Sequence, residues 1–276
     1  MKNALKLLLP ILLLLTVIGC VNFLKLSDLR SEDYAYPNDT AKARTLIEQM
    51  GEAHQIKNWN NLKSYNVTYV DEFYGFLGKQ AHPFKEQHMT FSLDYIPKTF
   101  DGRMEILSGK EKGSVWGMQD WTTYRIDADG KAGPKKNKDM RFWIPTYQYF
   151  IEFPLRIQEA TVLDYMGSGS IEGTKVEGVL ASWTTVEPQK KIDQYLIWIA
   201  ADTKRVVKVE YTVRDAYRFV TGAAFFKEYK DYEGILLPTH MPVESNLLKE
   251  GFLHTMRITD FIADRLPSES LRPLGT

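Results

Sequence analysis

The chain reads as mainly β with a few helices, an α+β arrangement built on one large antiparallel sheet. Three observations predict it. From Lys63 onward the hydrophobic period is two, and short turn signals rather than helices separate the apolar runs. The aromatic share is 13%, with 15 Tyr, 14 Phe and 6 Trp, side chains that suit a pleated, half-buried surface. A parallel sheet would need a crossover helix between successive strands, and no helical period occurs there.

The first nineteen residues stand outside that fold. Lys2 and Lys6 form a cationic start, and Leu7 to Ile18 form an apolar run of 12 residues. A bilayer span needs about 20 such residues, a signal-peptide core about 7–15. Residues 1–19 therefore read as a signal peptide. Val21 to Asn38 has little periodicity, so residues 20–38 read as a tether. Asp39 and Thr40 can cap a helix to about Ala53, with Ala43, Leu46, Ile47 and Met50 on one face. Residues 39–265 form a single domain, because aromatics are spread evenly through it. Residues 266–276 read as a C-terminal tail.

Within the domain, Tyr65, Val67 and Tyr69 alternate with Asn66 and Thr68. Met89, Phe91, Leu93 and Tyr95 alternate with His88, Thr90, Ser92 and Asp94. Later, Val207, Val209, Tyr211 and Val213 alternate with Lys208, Glu210, Thr212 and Arg214; Phe252, Met256 and Ile258 do so less cleanly. Turn signals fall at Asp101-Gly102, Asp129-Gly130, Gly167 to Gly169, Asp202 to Lys204, Glu233-Gly234 and Glu250-Gly251. About ten strands in an antiparallel meander are expected. Ile192 to Ala200 is apolar on both faces in its second half, so it must be covered on both sides or face an apolar ligand.

One segment interrupts the strands. Met140 to Leu155 is dense in aromatics and bounded by prolines, with Pro145 suited to a helix's first turn and Pro154 to its end. Trp143, Tyr147, Phe150 and Pro154 share a face, with Ile144, Ile151 and Leu155 beside them. Apolar almost all round, this helix is expected to press onto the concave face of the sheet.

Composition and motifs exclude several chemistries. Lys and Arg total 35 against 35 Asp and Glu, and loss of Lys2 and Lys6 leaves a balance near −2. Such neutrality offers nothing to a nucleic acid. The histidines at 54, 82, 88, 240 and 254 lie far apart, without metal-ligand spacing, and read as satisfied surface or core residues. Gly167 to Gly173 fits neither a dinucleotide loop nor a nucleophile elbow and reads as a hairpin turn. Asp127 to Gly130 lacks the twelfth-position glutamate of a calcium loop. Lys131, Lys135, Lys136 and Lys138 form a basic loop, a solvated tip or a contact for anionic headgroups. Asp231 and Glu233 merely flank a turn. No catalytic residue, metal site or cofactor is expected, and the domain is expected to be a monomer.

Val17-Ile18-Gly19-Cys20 resembles the lipobox of bacterial lipoprotein precursors. That resemblance implies cleavage before Cys20, the one cysteine in the chain, and its lipidation. A plain secretory signal followed by a buried cysteine is the alternative. Val21 rather than Asp in second place implies, by the enterobacterial sorting pattern, an outer-membrane, periplasm-facing location.

A second resemblance rests on several stretches. They are the N-terminal helix, Trp59-Asn60-Asn61-Leu62-Lys63-Ser64, Val179 to Trp183, Asp193 to Ile199 before the Asp202-Thr203-Lys204 turn, and Asp231 to Pro238. With the inserted apolar helix, the chain from about 40 to 263 resembles the Lol fold of bacterial lipoprotein carriers and receptors. The resemblance implies a half-open barrel whose concave face, closed by helices, holds acyl chains, and the Cys20 anchor likens the chain to the anchored receptor. The expected ligand is a lipid or acyl chain, each buried methylene contributing about 0.8 kcal/mol. Other lipoproteins are a further expected partner. Val67, Tyr69, Met89, Phe91, Leu93, Trp143, Phe150 and Phe153 are the candidate wall and lid. The alternatives are a non-enzymatic interaction or sensory lipoprotein whose interior is filled by side chains, and a hydrolase with dispersed catalytic residues.

Overall fold

The computed structural model describes residues 21–24 and 37–275. Cys20, the signal peptide and most of the expected tether lie outside the described residues. Helix α1 (Thr40–Ala53) starts where Asp39 Oδ1 accepts the Lys42 N–H at 2.9 Å. It buries Ala43, Leu46, Ile47 and Met50, the face its spacing predicts. A 3₁₀ turn (Ile56–Asn61) then sets Trp59 edge-on to Tyr65, ring centres 5.2 Å apart.

Among the described residues, fourteen strands form one antiparallel sheet. The first six are β1 (Tyr65–Phe73), β2 (His88–Tyr95), β3 (Gly102–Ile106), β4 (Val115–Gln119), β5 (Thr122–Ile126) and β6 (Ala132–Pro134). A short helix, α2 (Gly75–Ala81), joins β1 to β2. Two helices follow β6, α3 (Lys138–Ile151) and α4 (Phe153–Arg156). After them come β7 (Val162–Ile171), β8 (Thr174–Ser182), β9 (Tyr195–Ala200), β10 (Val206–Thr212), β11 (Thr221–Phe225), β12 (Lys227–Tyr232), β13 (Ile235–Ser245) and β14 (His254–Ala263).

In space the order is β6-β5-β4-β3-β2-β1-β14-β13-β11-β10-β9-β8-β7, with β12 paired to the lower part of β13. The first and last thirds of the chain therefore meet at the β1–β14 pair, and the outer strands β6 and β7 do not close on each other. The result is a half-open barrel. Residues of alternate parity from each strand face inward, and α3 and α4 lie across them.

The twofold burial of β9 has a simple cause. Tyr195, Ile197 and Ile199 join the main core, while Leu196 and Trp198 join a second cluster on the outer face with Met166, Val186 and Leu24. Leu24 belongs to the expected tether, yet residues 21–24 are docked on the domain. Arg214 Nη1 donates to the Asn22 carbonyl at 2.7 Å, and Asn22 Nδ2 donates to the Phe219 carbonyl at 2.7 Å.

Four further local readings are corrected. The expected C-terminal tail is part of the fold: Leu271 is fully buried, Arg272 Nε donates to Asp101 Oδ2 at 2.7 Å, and Gln119 Nε2 donates to the Gly275 carbonyl. Gly167 to Gly169 lie inside β7 at a register shift, and the hairpin turns at Glu172-Gly173 instead; an extra residue in one strand bends it without ending it. A second register shift between Val206 and Lys208 turns Val207 to the outer cluster and puts Val206 in the core. Pro145 sits mid-helix, because Asn137 caps α3 seven residues before the position expected; its Oδ1 accepts from the Asp139 and Met140 N–H groups. Pro145 has no N–H for the Arg141 carbonyl, and Arg141 is exposed where water can serve it.

Candidate functional site

All eight predicted wall and lid residues fall into one buried cluster. Val67, Tyr69, Met89, Phe91, Leu93 and Phe153 are fully buried, and Trp143 and Phe150 nearly so. They divide along α3. At one end Trp143 meets Phe73 at 5.6 Å between ring centres, and Tyr147 meets Tyr69 and Phe91 at 4.9 and 5.8 Å. At the other, Phe150 packs on Tyr211 at 5.2 Å and Phe153 on Phe226 at 5.8 Å. The crevice left beside His54, Trp59, Ile151 and Leu236 admits no water-sized sphere. Room exists instead on the outer face, in an open cleft of about 540 Å³ beside Asn22, Lys208, Gly222 and Gly251.

Polar bonds hold α3 to the sheet. Tyr147 Oη donates to Asp71 Oδ2 at 2.8 Å, and His254 Nδ1 donates to Asp71 Oδ1 at 2.8 Å. The His254 ring stacks on Phe73 at 4.4 Å. Tyr95 Oη donates to the Ile144 carbonyl. At the far end of α3, Glu152 Oε1 accepts from Tyr65 Oη and Gln148 Nε2, both at 2.8 Å, while Oε2 takes the Lys98 N–H and pairs with Arg156 at 3.0 Å. Asp71 and Glu152 are both fully buried. Burial raises the Glu152 carboxyl above its ordinary range, while Arg156 and the Gln148, Tyr65 and Lys98 donors oppose that shift.

Two other buried imidazoles stay neutral. His54 Nε2 accepts the Val206 N–H at 3.1 Å, and burial lowers its pKa to about 3. His82 Nδ1 accepts the Phe84 N–H at 3.1 Å, and burial lowers it to about 4. His54 Nδ1 and His82 Nε2 have no partner, so the satisfied reading holds for one nitrogen of each. The Tyr147 hydroxyl is bonded to the same Asp71 carboxylate that His254 meets. Among the described residues no three His, Cys, Asp or Glu side chains are placed to hold a metal ion.

This architecture occurs in solved structures of other proteins. A domain named as an outer membrane lipoprotein-sorting protein domain, from Vibrio parahaemolyticus, superposes with a TM-score of 0.53 at 10% identity, over 83% of this chain and 96% of that one. The fold is of the Lol type. A LolA superfamily protein from Nitrosomonas europaea agrees at a TM-score of 0.51 and 12% identity, over 82% of this chain and 96% of its own. A DUF1329 family protein from Desulfovibrio piger does so at 0.51 and 12%, over 81% and 93%. No protein-family model matches the chain, and no curated protein does.

Sequence reasoning missed the polar latches of this Lol-type interior, although one signal was present. Asp71 has the parity of Val67, Tyr69 and Phe73, so a carboxylate was due on the apolar face. Glu152 likewise interrupts Ile151 and Phe153. Nothing local pairs Asp71 with His254, 183 residues away.

Proposed function

We propose that this chain is a membrane-anchored, non-enzymatic lipid-handling lipoprotein of the bacterial envelope, tethered through Cys20 to the outer membrane and facing the periplasm. Its ligand is a lipid acyl chain taken between α3 and the concave face. Val67, Tyr69, Met89, Phe91 and Leu93 form the wall; Trp143, Phe150 and Phe153 form the lid. The observation that carries this reading is the clasping of an apolar helix by buried carboxylates. A permanent core gains little from Asp71 or Glu152 there, since apolar packing of equal volume is often as stable or more so. A lid that opens returns those groups to water and so offsets part of the cost of exposing its apolar face.

The crevice beside Trp59 and Ile151, too narrow for a water-sized sphere, fits a closed state of such a lid. An empty apolar pocket of 300 Å³, the small end of ligand sites, would cost roughly 7 kcal/mol, comparable with the whole stability of a domain. The open cleft on the outer face favours a second reading in which the domain is permanently closed and binds a protein partner outside.

Fluorescent fatty-acid binding by the full chain, with native mass spectrometry for co-purified lipid, separates the two. Lipid handling predicts bound acyl chains and faster uptake by Tyr147→Phe, which unlatches α3 from Asp71. If neither the wild type nor Tyr147→Phe takes up any acyl probe, the lipid reading fails and the closed interaction domain stands.

A further inference from the structure

Large apolar side chains exposed to solvent are not scattered over this molecule. Among the described residues nine are exposed, and seven of them sit on one end of the half-barrel. Tyr74, Phe76 and Leu77 occupy the β1–β2 connection, with Phe76 as much as 75% exposed. Leu247 and Phe252 lie in the β13–β14 loop, Tyr217 in the β10–β11 loop, and Phe23 beside Arg214.

The strand order makes these connections neighbours. β2-β1, β14-β13 and β11-β10 are successive pairs in the sheet, so their joining loops stand side by side along one edge. Direct bonds tie them together. The Tyr74 N–H donates to the Leu253 carbonyl at 2.9 Å, and Asn246 Nδ2 donates to the Phe219 carbonyl at 2.8 Å. The rim also borders the lid, since Tyr217 meets Phe142 of α3 at 5.5 Å.

A second observation says what covers the rim. The chain enters the domain at this same end. Asn22 bonds the Arg218 and Phe219 carbonyls, and the buried Arg214 side chain spends Nη1 on the Asn22 carbonyl. Cys20 is two residues earlier, and an extended chain advances at most about 3.6 Å per residue, which keeps it within roughly 7 Å of Asn22. A lipid on Cys20 would therefore emerge at the rim and hold the domain against the bilayer with no slack between them.

We propose that this apolar rim docks on the lipid bilayer surface, with Val21–Leu24 as a rigid clamp that aims the end of the half-barrel bearing Trp143 and Phe73 at the membrane. Apolar side chains of this kind settle about 5–10 Å into the boundary between headgroups and acyl chains. The proposal rests on the anchoring reading at Cys20. It adds an orientation, which a tether of 18 free residues would not impose.

Depth measurement on the full chain in phosphatidylethanolamine–phosphatidylglycerol vesicles tests it. One cysteine is introduced at a time, Phe76→Cys or Leu247→Cys on the rim and Thr203→Cys in the β9–β10 turn at the opposite end, and each is labelled with an environment-sensitive fluorophore. The probes at 76 and 247 are expected to shift to the blue on vesicles and to lose emission to nitroxide-bearing lipid, and the probe at 203 to do neither. Equal, water-like emission at all three positions on vesicle-bound protein overturns the proposal. So does a rim shift that needs no vesicles and grows with protein concentration, which would assign the rim to a second copy of the chain. Labelling of the wild-type chain would show a free Cys20 thiol and sink the anchoring reading alone. The same contrast among the three probes, in a Cys20→Ser chain mixed with vesicles, then decides the rim.

Discussion

His54 and His82 show what burial does to a single side chain. Both rings are held neutral, with values of about 3 and 4, while the unfolded rings titrate near the ordinary 6.5. Between those limits the unfolded chain binds more protons, so stability rises with pH. Their contribution is complete above about pH 6.5 and is lost as pH falls through 4 toward 3. Each ring costs up to about 1.4 kcal/mol per pH unit in that window. Urea midpoints measured from pH 7 to pH 4.5 should fall steadily. A His54→Gln chain, whose side-chain oxygen can still accept the Val206 N–H, should show a shallower fall. An unchanged slope would mean that His54 is not the proton acceptor.

Four strand glycines reveal how the elements are fitted together. Gly102, Gly117, Gly178 and Gly222 lie directly opposite Tyr95, Tyr124, Trp198 and Tyr211 on the neighbouring strand. Each aromatic ring folds over the bare backbone of its partner, a cross-strand pairing that fixes register. A Cβ on Gly117 would stand 2.0 Å from Tyr124 Cζ, whereas one on Gly133 meets nothing within 4 Å. Gly117→Ala must push Tyr124 out of place and should cost about 1–3 kcal/mol. Gly133→Ala should be neutral, or stabilise by up to about 1 kcal/mol through the unfolded state. Denaturant titration of the two variants, read at constant slope, checks the contrast. Near-equal midpoints would remove the glycine–aromatic pairs from the account of register.

For the whole molecule, closure of the barrel is replaced by packing at its ends and across its mouth. Residues 267–275 illustrate the point. Leu271 is fully buried and its carbonyl accepts from Tyr124 Oη, while the 3₁₀ turn Ser268–Leu271 follows Ser64's bond to the Leu266 carbonyl. Leu271→Ala should cost about 2–5 kcal/mol, and deletion of residues 267–276 should lower the melting temperature at least as much; a deletion without effect would restore the tail reading. Much of this architecture was legible beforehand. The period of two marked β1, β2 and β14, the Asp39 cap marked α1, and the aromatic run between prolines marked the helix across the concave face. These are local properties, set by side-chain alternation and backbone capping over a few residues. Register shifts at Val206 and Tyr165, the pairing of Asp71 with His254, the docking of Val21–Leu24 and the burial of Leu271 were not legible, because each depends on a partner far along the chain. Residue order alone thus established an antiparallel α+β domain with an apolar helix laid over its sheet. Tertiary contact alone decided that Asp71 and Glu152 are buried and bonded beneath that helix, and that exposed apolar groups gather at one end, since only packing sets which distant groups share a volume and which remain in water.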